Sequence, residues 1–345
     1  MVAWVYMSQF FRHFPGSLLA TLATLFGVGL TLGPGATVTT LILIAIEIAF
    51  SFDNAIINAK VLEKLSVFWQ QLFLTLGMVF AIVGMRFVFP IVIVSLAAGL
   101  SWNTVVDLAL HHPSDYAHKL HEAHGLIAAF GGAFLLTLSL YFFFDRTKGI
   151  HWLSKVELPM KRAGSWWLPL VLSIVLVAVI AILPGNDHPK ETLEAGLLGV
   201  ATYTVIKLFI DGLEKLSGPN TKGLYTGWAA FGAFTYLQIL DASFSFDGVV
   251  GAFAITNMVV LIAAGLGVGA LWVRSLTVYM VRRGTLRSYI YLEHGAHYAI
   301  AFLALALYVS IFWEVPDAVT GIVGVGVLVS SFVASREALH AKTAH

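Results

Sequence analysis

Ten apolar runs, each long enough to cross a bilayer, constrain this chain more than any other feature. They cover residues 15–33, 36–59, 67–94, 125–144, 166–183, 193–212, 225–256, 258–281, 293–312 and 316–335. A chain patterned this way is expected to fold as an all-α polytopic membrane protein. Apolar residues make up 59% of it and charged residues 11%, with a mean hydropathy of +0.86, as in membrane proteins. The absence of cysteine excludes disulfides, thiolate metal sites and cysteine nucleophiles. A net charge of +1 carries no nucleic-acid signal. Residues 1–14 look amphipathic but lack the charged start and small-residue cleavage site of a signal peptide. With the N-terminus inside, fifteen Lys and Arg fall in inner segments and only Lys119 and Lys190 in outer loops. That bias predicts a multi-pass protein of the cytoplasmic (inner) membrane with both termini cytoplasmic.

One acidic phrase occurs twice within the apolar runs. It reads Glu47-Ile-Ala-Phe-Ser51-Phe-Asp53-Asn54 and, 194 residues later, Asp241-Ala-Ser-Phe-Ser245-Phe-Asp247-Gly248. Carboxylates at such depth are costly and mark function. The copies lie five runs apart, so their helices run in opposite directions and their acids meet at the midplane. This is an inverted-topology repeat of five plus five spans. The first repeat comprises residues 1–165, completed by the run at 166–184, and the second residues 185–345. Arg86 matches Arg274 between the halves, and His124-Gly125 matches His294-Gly295.

On an ideal helix Glu47, Ser51 and Asn54 share a face, whereas Asp53 points about 120° away from Glu47. Bringing Asp53 to the same cavity calls for local unwinding around residues 52–54. In the second copy Gly248 makes such a break easy. Carboxylate, hydroxyl, amide and freed carbonyl oxygens together make a hard site suited to Mg²⁺, Ca²⁺ or Mn²⁺. The alternative is simple helix–helix hydrogen bonding, which competes evenly for Ser51 and Ser245 and poorly for four duplicated acids. Arg86 and Arg274 serve as counter-charges, or else snorkel to an interface. Four acids and two arginines leave a deficit of two, which one divalent cation neutralises.

The outer loop carries His111, His112, His118, His121 and His124 with Asp107, Asp115 and Glu122. Imidazole beside carboxylate suits metal capture or release there, and a solvated polar loop explains it too. Glu293, His294 and His297 fit a gate or proton path, and equally a helix anchor. Gly265, Gly267 and Gly269 point to close helix packing. Residues 145–165 are basic, amphipathic and aromatic, as expected of a segment on the inner leaflet surface.

These motifs resemble the signatures of the TerC family of integral membrane proteins. The likeness runs from Asp241 to Asp247 through Phe253-Ala-Ile-Thr256-Asn257 to Val273-Arg274-Ser275-Leu276, and in the first half includes Glu47 to Asn54 and Gly84-Met85-Arg86. Residues His124 to Leu136 and Tyr291-Leu-Glu-His-Gly-Ala-His297 look like a longer branch of that family. The resemblance implies tellurium resistance and export of manganese from the cytoplasm. It carries over Glu47, Ser51, Asp53, Asn54, Asp241, Ser245 and Asp247 as metal ligands, with Asn257, Arg86 and Arg274 beside them. Gly248 stands where Ser is commoner, which removes one candidate ligand.

The leading expectation is therefore a secondary transporter, not an enzyme, exporting a divalent cation with Mn²⁺ first, by proton antiport. Its partners are the lipid bilayer, the metal as substrate and protons. The alternatives are a membrane-embedded metal-dependent hydrolase and a non-transporting scaffold for metal binding or stress resistance. Glu122, His124, Glu293, His294, His297 and Asn257 are secondary or gating candidates.

Overall fold

The structure, a computed structural model, describes residues 14–217, 224–253, 255–256, 258–313 and 315–343. Regular elements among the described residues are all helical. In chain order those that position the site are α1 (Pro15–Phe50), α2 (Phe52–Leu62), α3 (Val67–Leu74), a π-helical segment (Phe80–Val88) continuing into α4 (Phe89–Ala98), α5 (Trp102–His111), α6 (Pro113–Glu122) and α7 (His124–Phe143). They are followed by α8 (Ser154–Ala163), α9 (Leu168–Ile182), α10 (Pro189–Ser217), α11 (Gly227–Phe253), α12 (Val259–Arg283), α13 (Leu292–Ser310) and α14 (Asp317–Thr343). Among the described residues seven helices are long and apolar enough to cross a membrane, or eight when α8 and α9, bent by 104° at their break, count as one span. This fits a multi-pass membrane protein. The amphipathic reading of residues 1–14 lies, but for Phe14, outside the described residues.

The first apolar run and the start of the second form one element, α1, that doubles back on itself, and the rest of the second run continues in α2. Gly33 adopts φ 85° and ψ 178°, a conformation essentially confined to glycine. Pro34 follows, lacking an N–H and disfavouring helical geometry in the residue before it. A Cβ on Gly29 would stand 3.1 Å from Thr37 Oγ1, whereas eight residues of straight helix span about 12 Å. Both arms pack on α12 and run oppositely along it. Ser17 Oγ meets Ser275 Oγ at 2.9 Å, and Trp272 Nε1 donates to Thr21 Oγ1 at 2.9 Å. Farther on, Leu43 lies against Gly265 and Glu47 against Gly269, so the second arm runs parallel to α12. The first arm shows Leu19, Leu22, Phe26 and Leu30 on its open side, each more than half exposed. That stripe, repeating every three or four residues, is the surface lipid covers.

α7 and α13 pair antiparallel in the largest core. At one end His124 Nε2 bonds Ser310 Oγ at 3.0 Å, and at the other Phe142 stacks on His297 with ring centres 3.7 Å apart. Phe134, Leu135, Ile300, Ala304 and Tyr308 fill the space between, with α10 and α14 packed outside. The run at 166–183 becomes the 15-residue α9, entered from α8 through the sharp bend.

A methyl group at Gly33 would meet no neighbour, yet it would strain the backbone. Gly33→Ala is therefore expected to destabilise the protein by about 1–3 kcal/mol, seen as a lower unfolding temperature in detergent. An unchanged temperature would mean that the reversal does not depend on this glycine.

Candidate functional site

The two acidic phrases meet at the crossing of α1, α2, α11 and α12. Glu47, in the last turn of α1, is ion-paired with Arg86 Nη2 from the π-helical segment. Asp241, in the middle of α11, is ion-paired with Arg274 Nη2 from α12. All four side chains are buried. Each arginine also donates to a backbone carbonyl, Arg86 Nη1 to Ala81 O at 2.8 Å and Arg274 Nη1 to Phe73 O at 2.9 Å. Arg274 additionally bonds Gln238 Oε1 at 3.3 Å and stacks over the Phe73 ring. Nε of both arginines lacks a hydrogen-bond partner.

Contacts between the phrases are reciprocal. Asn54 Nδ2 donates to Asp241 Oδ1 at 3.0 Å, while a Cβ on Gly248 would lie 3.3 Å from Glu47 Oε2. Residues 54 and 248 are equivalent under the 194-residue offset, as are 47 and 241. Each phrase thus places its last residue against the first acid of the other. Asn58, one turn beyond Asn54, donates to Asn54 Oδ1 at 3.0 Å and extends this polar chain.

The expected break falls one residue earlier than residues 52–54. α1 ends at Phe50, Ser51 takes φ −100° and ψ 16°, and α2 begins at Phe52. The hinge is enough to put Asp53 on the same cavity as Glu47 and Ser51. In the second copy no break occurs, and α11 runs unbroken through Gly248 to Phe253. Gly248 is used for close approach instead. The side chains of Ser245 and Asp247, and Asn257 altogether, lie outside the described residues.

Asp53 differs from the other two described acids. It is buried, and among the described residues its carboxylate accepts backbone N–H groups alone, that of Asn54 at 2.8 Å. No cation faces it among the described residues. Glu47, Ser51, Asp53 and Gly248 line a cavity of about 340 Å³ whose remaining walls, Thr320 apart, are apolar, including Leu43, Leu266 and Leu328. Three carboxylates and two guanidinium groups leave this described cluster one negative charge in excess. No three His, Asp or Glu side chains among the described residues converge as a metal-holding group. The oxygen donors here come from carboxylate and hydroxyl together.

Glycines make the crossing possible. A Cβ on Gly269 would fall 2.5 Å from Glu47 Cβ, and one on Gly77 would collide with Arg274 Nη1. Gly265 and Gly267 similarly admit Leu43 and Ile82, in keeping with close helix packing.

The secondary candidates do not join this site. Glu122 is exposed and pairs with Lys119 and His118. His124 bonds Ser310 at one end of α7, and Glu293 pairs with Lys60 at 2.8 Å at the opposite end. His297 is held against Phe142, and His294 Nδ1 donates to Glu157 Oε2 at 2.8 Å. Glu157 carries no signal in sequence beyond its place in an amphipathic stretch. It is fully buried, and it accepts Lys148 Nζ at 3.0 Å and the N–H groups of Trp152 and Leu153. The segment expected on the membrane surface is thus latched onto α13. Burial works to raise the Glu157 carboxyl, but hydrogen bonds from His294, Lys148 and Leu153 overcome it and hold it at about 2.

A family model described as Protein of unknown function (DUF475) matches residues 52–342. No curated protein and no solved structure matches the chain.

Because Glu47 Cβ is fixed by backbone, Gly269→Ala should force α1 and α12 apart. A loss of about 1–3 kcal/mol is expected in thermal unfolding, and retention of wild-type stability would refute the tight crossing. Glu157→Gln should release α8, since it leaves Lys148 buried without its counter-charge. Amide exchange across residues 154–163, followed by mass spectrometry, should quicken at least tenfold. In the wild type the folded carboxyl titrates below its ordinary value of 4.5. The latch is therefore complete above about pH 4.5, and its protection should fade as pH falls toward 2.

Proposed function

The chain belongs to the DUF475 family, whose description assigns no activity, and we propose from its own residues that it is a secondary transporter exporting a divalent metal cation. The observation that carries this reading is Asp53, a buried carboxylate without a cation among the described residues, beside two acids already neutralised by arginine. Glu47 Oε2, Ser51 and Asp53 offer hard oxygen donors at one cavity, which suits Mn²⁺ first and Mg²⁺ or Ca²⁺ next. Counting Asp247 of the second phrase, the six charged groups sum to minus two, and one divalent cation balances them. Asp241 and Asn54 act next to this set, held by Arg274 and by each other. Ser245 is assigned to the same site by the repeat.

The reciprocal contacts 54–241 and 248–47, and the pairing of each arginine with the acid of its own half, support an inverted repeat of five plus five spans. The hairpin at Gly33 supports counting residues 15–33 and 36–59 as two of the ten. The bias of Lys and Arg supports a protein of the cytoplasmic membrane with both termini inside. Likeness to TerC motifs supports export as the direction and manganese as the metal. When the cation leaves, protons neutralise the acids that arginine does not, so transport is proton-coupled. Glu157 closes against His294, which gives that histidine an anchoring role in this scheme.

The test is Mn²⁺ flux in proteoliposomes carrying an internal pH dye. Wild type should move Mn²⁺ against protons and slow as the proton gradient collapses. Asp53→Asn and Glu47→Gln should each lower Mn²⁺ affinity at least tenfold while eluting as folded protein. Unaltered affinity in both variants, or a wild type that moves no divalent cation, would exclude the transporter reading.

A further inference from the structure

Deepening that reading and resting on it, we propose that the cation reaches the carboxylate cavity from the end of the molecule that carries His124 and Ser310. The route would run between α13 and α14, and the structure would be the conformer open to that end. A second, larger cavity of about 1230 Å³ lies there, among the start of α7, residues 186–192 and the end of α13. Leu303, Pro316 and Thr320 line both cavities, so the two spaces share a wall.

α14 is built to leave this route clear. Thr320, Gly321, Gly324, Val325 and Leu328 border the inner cavity, and their spacing of four and eight places them along one side of a helix. At Gly324 a Cβ would meet only Ala299 Cβ, at 3.9 Å, so an open strip remains where a larger side chain would fill it. The polar wall of the outer cavity favours cations. Glu122, Asp187 and Glu191 line it together with Lys119, so its carboxylates outnumber its lysine by two. A cleft lined by one sign of charge raises the local concentration of the opposite ion. These side chains form no converging metal group, so the outer cavity attracts a hydrated ion and leaves ligation to the carboxylate site.

The other end is differently made. Glu157 ties α8 to Lys148 of the preceding segment and to His294 of α13, and Lys60 bridges Glu293 between α2 and α13. α13 thus carries ionic ties at its first turn and lines the open cavities at Leu303 and Ser310.

The chain has no cysteine, so a single introduced thiol is a unique reporter. Thr320→Cys and Gly324→Cys would be exposed to a membrane-impermeant cationic methanethiosulfonate, in intact cells and in inverted vesicles. His188→Cys marks the outer-cavity side and Lys155→Cys the opposite one. Both test thiols should react from the side that modifies His188→Cys, at least tenfold faster than from the side that modifies Lys155→Cys. Millimolar MnCl₂ should slow reaction at Gly324→Cys at least fivefold, and adding Asp53→Asn should remove that protection. Reaction only from the Lys155→Cys side, or from neither side, overturns the route. Reaction from the His188→Cys side without Mn²⁺ protection upholds the route and overturns the cation assignment instead.

Discussion

Two buried guanidinium–carboxylate pairs stand where α1, α3, the π-helical segment, α11 and α12 cross, and the surrounding packing keeps both pairs complete. Removing one partner of such a pair leaves an uncompensated charge in a dry interior, a penalty of about 3–5 kcal/mol. The helices therefore cannot separate at this level without exposing or stranding a charge. Several local features follow from that demand. The π-helical segment aims Arg86 at its own Ala81 carbonyl and at Glu47 together. Gly77 clears the path of Arg274, and Gly269 lets the stem of Glu47 lie on α12.

The two acidic phrases are equivalent in sequence but differ in use. The first is hinged at Ser51, which delivers Asp53 to the cavity. The second lies on an unbroken helix and presents Gly248, whose missing side chain leaves room for Glu47 Oε2. A side chain at residue 248 would crowd that oxygen, and an amide at residue 54 satisfies Asp241 instead. One end of the phrase thus supplies contact by omission and the other by hydrogen bonding. The asymmetry leaves one described carboxylate without a counter-charge, and that group carries the functional reading.

The two ends of the α7–α13 pair differ in a related way. Near Glu157 the polar groups are matched and buried: the carboxylate takes Lys148, His294 and two backbone N–H groups. Near His124 the polar groups surround open space. Matched buried networks hold elements together, because opening them strands each partner. Charges around open space act on ions at a distance. Carboxylates consequently serve as fasteners at one end and as a charged rim at the other.

The sequence by itself determined the helical character, the apolar patterning of a multi-pass membrane protein, the duplicated acids and the glycines that admit close packing. Those follow from local chemistry: hydropathy over a span's length, the cost of mid-run charge, and the small volume of Gly265, Gly267 and Gly269. It also singled out Arg86 and Arg274 as partners of the acids. Tertiary structure decided which acid each arginine takes, and that Asp53 takes none. It decided as well that α11 stays unbroken at Gly248, that Asn58 and Gln238 join the polar chain, and that Glu157 is buried. The reason is physical: a helix reports through its own residues which face is apolar, whereas a counter-charge is chosen by the neighbour that reaches it. Glu157 makes the point, since its fate rests on Lys148 nine residues away and His294 on a distant helix.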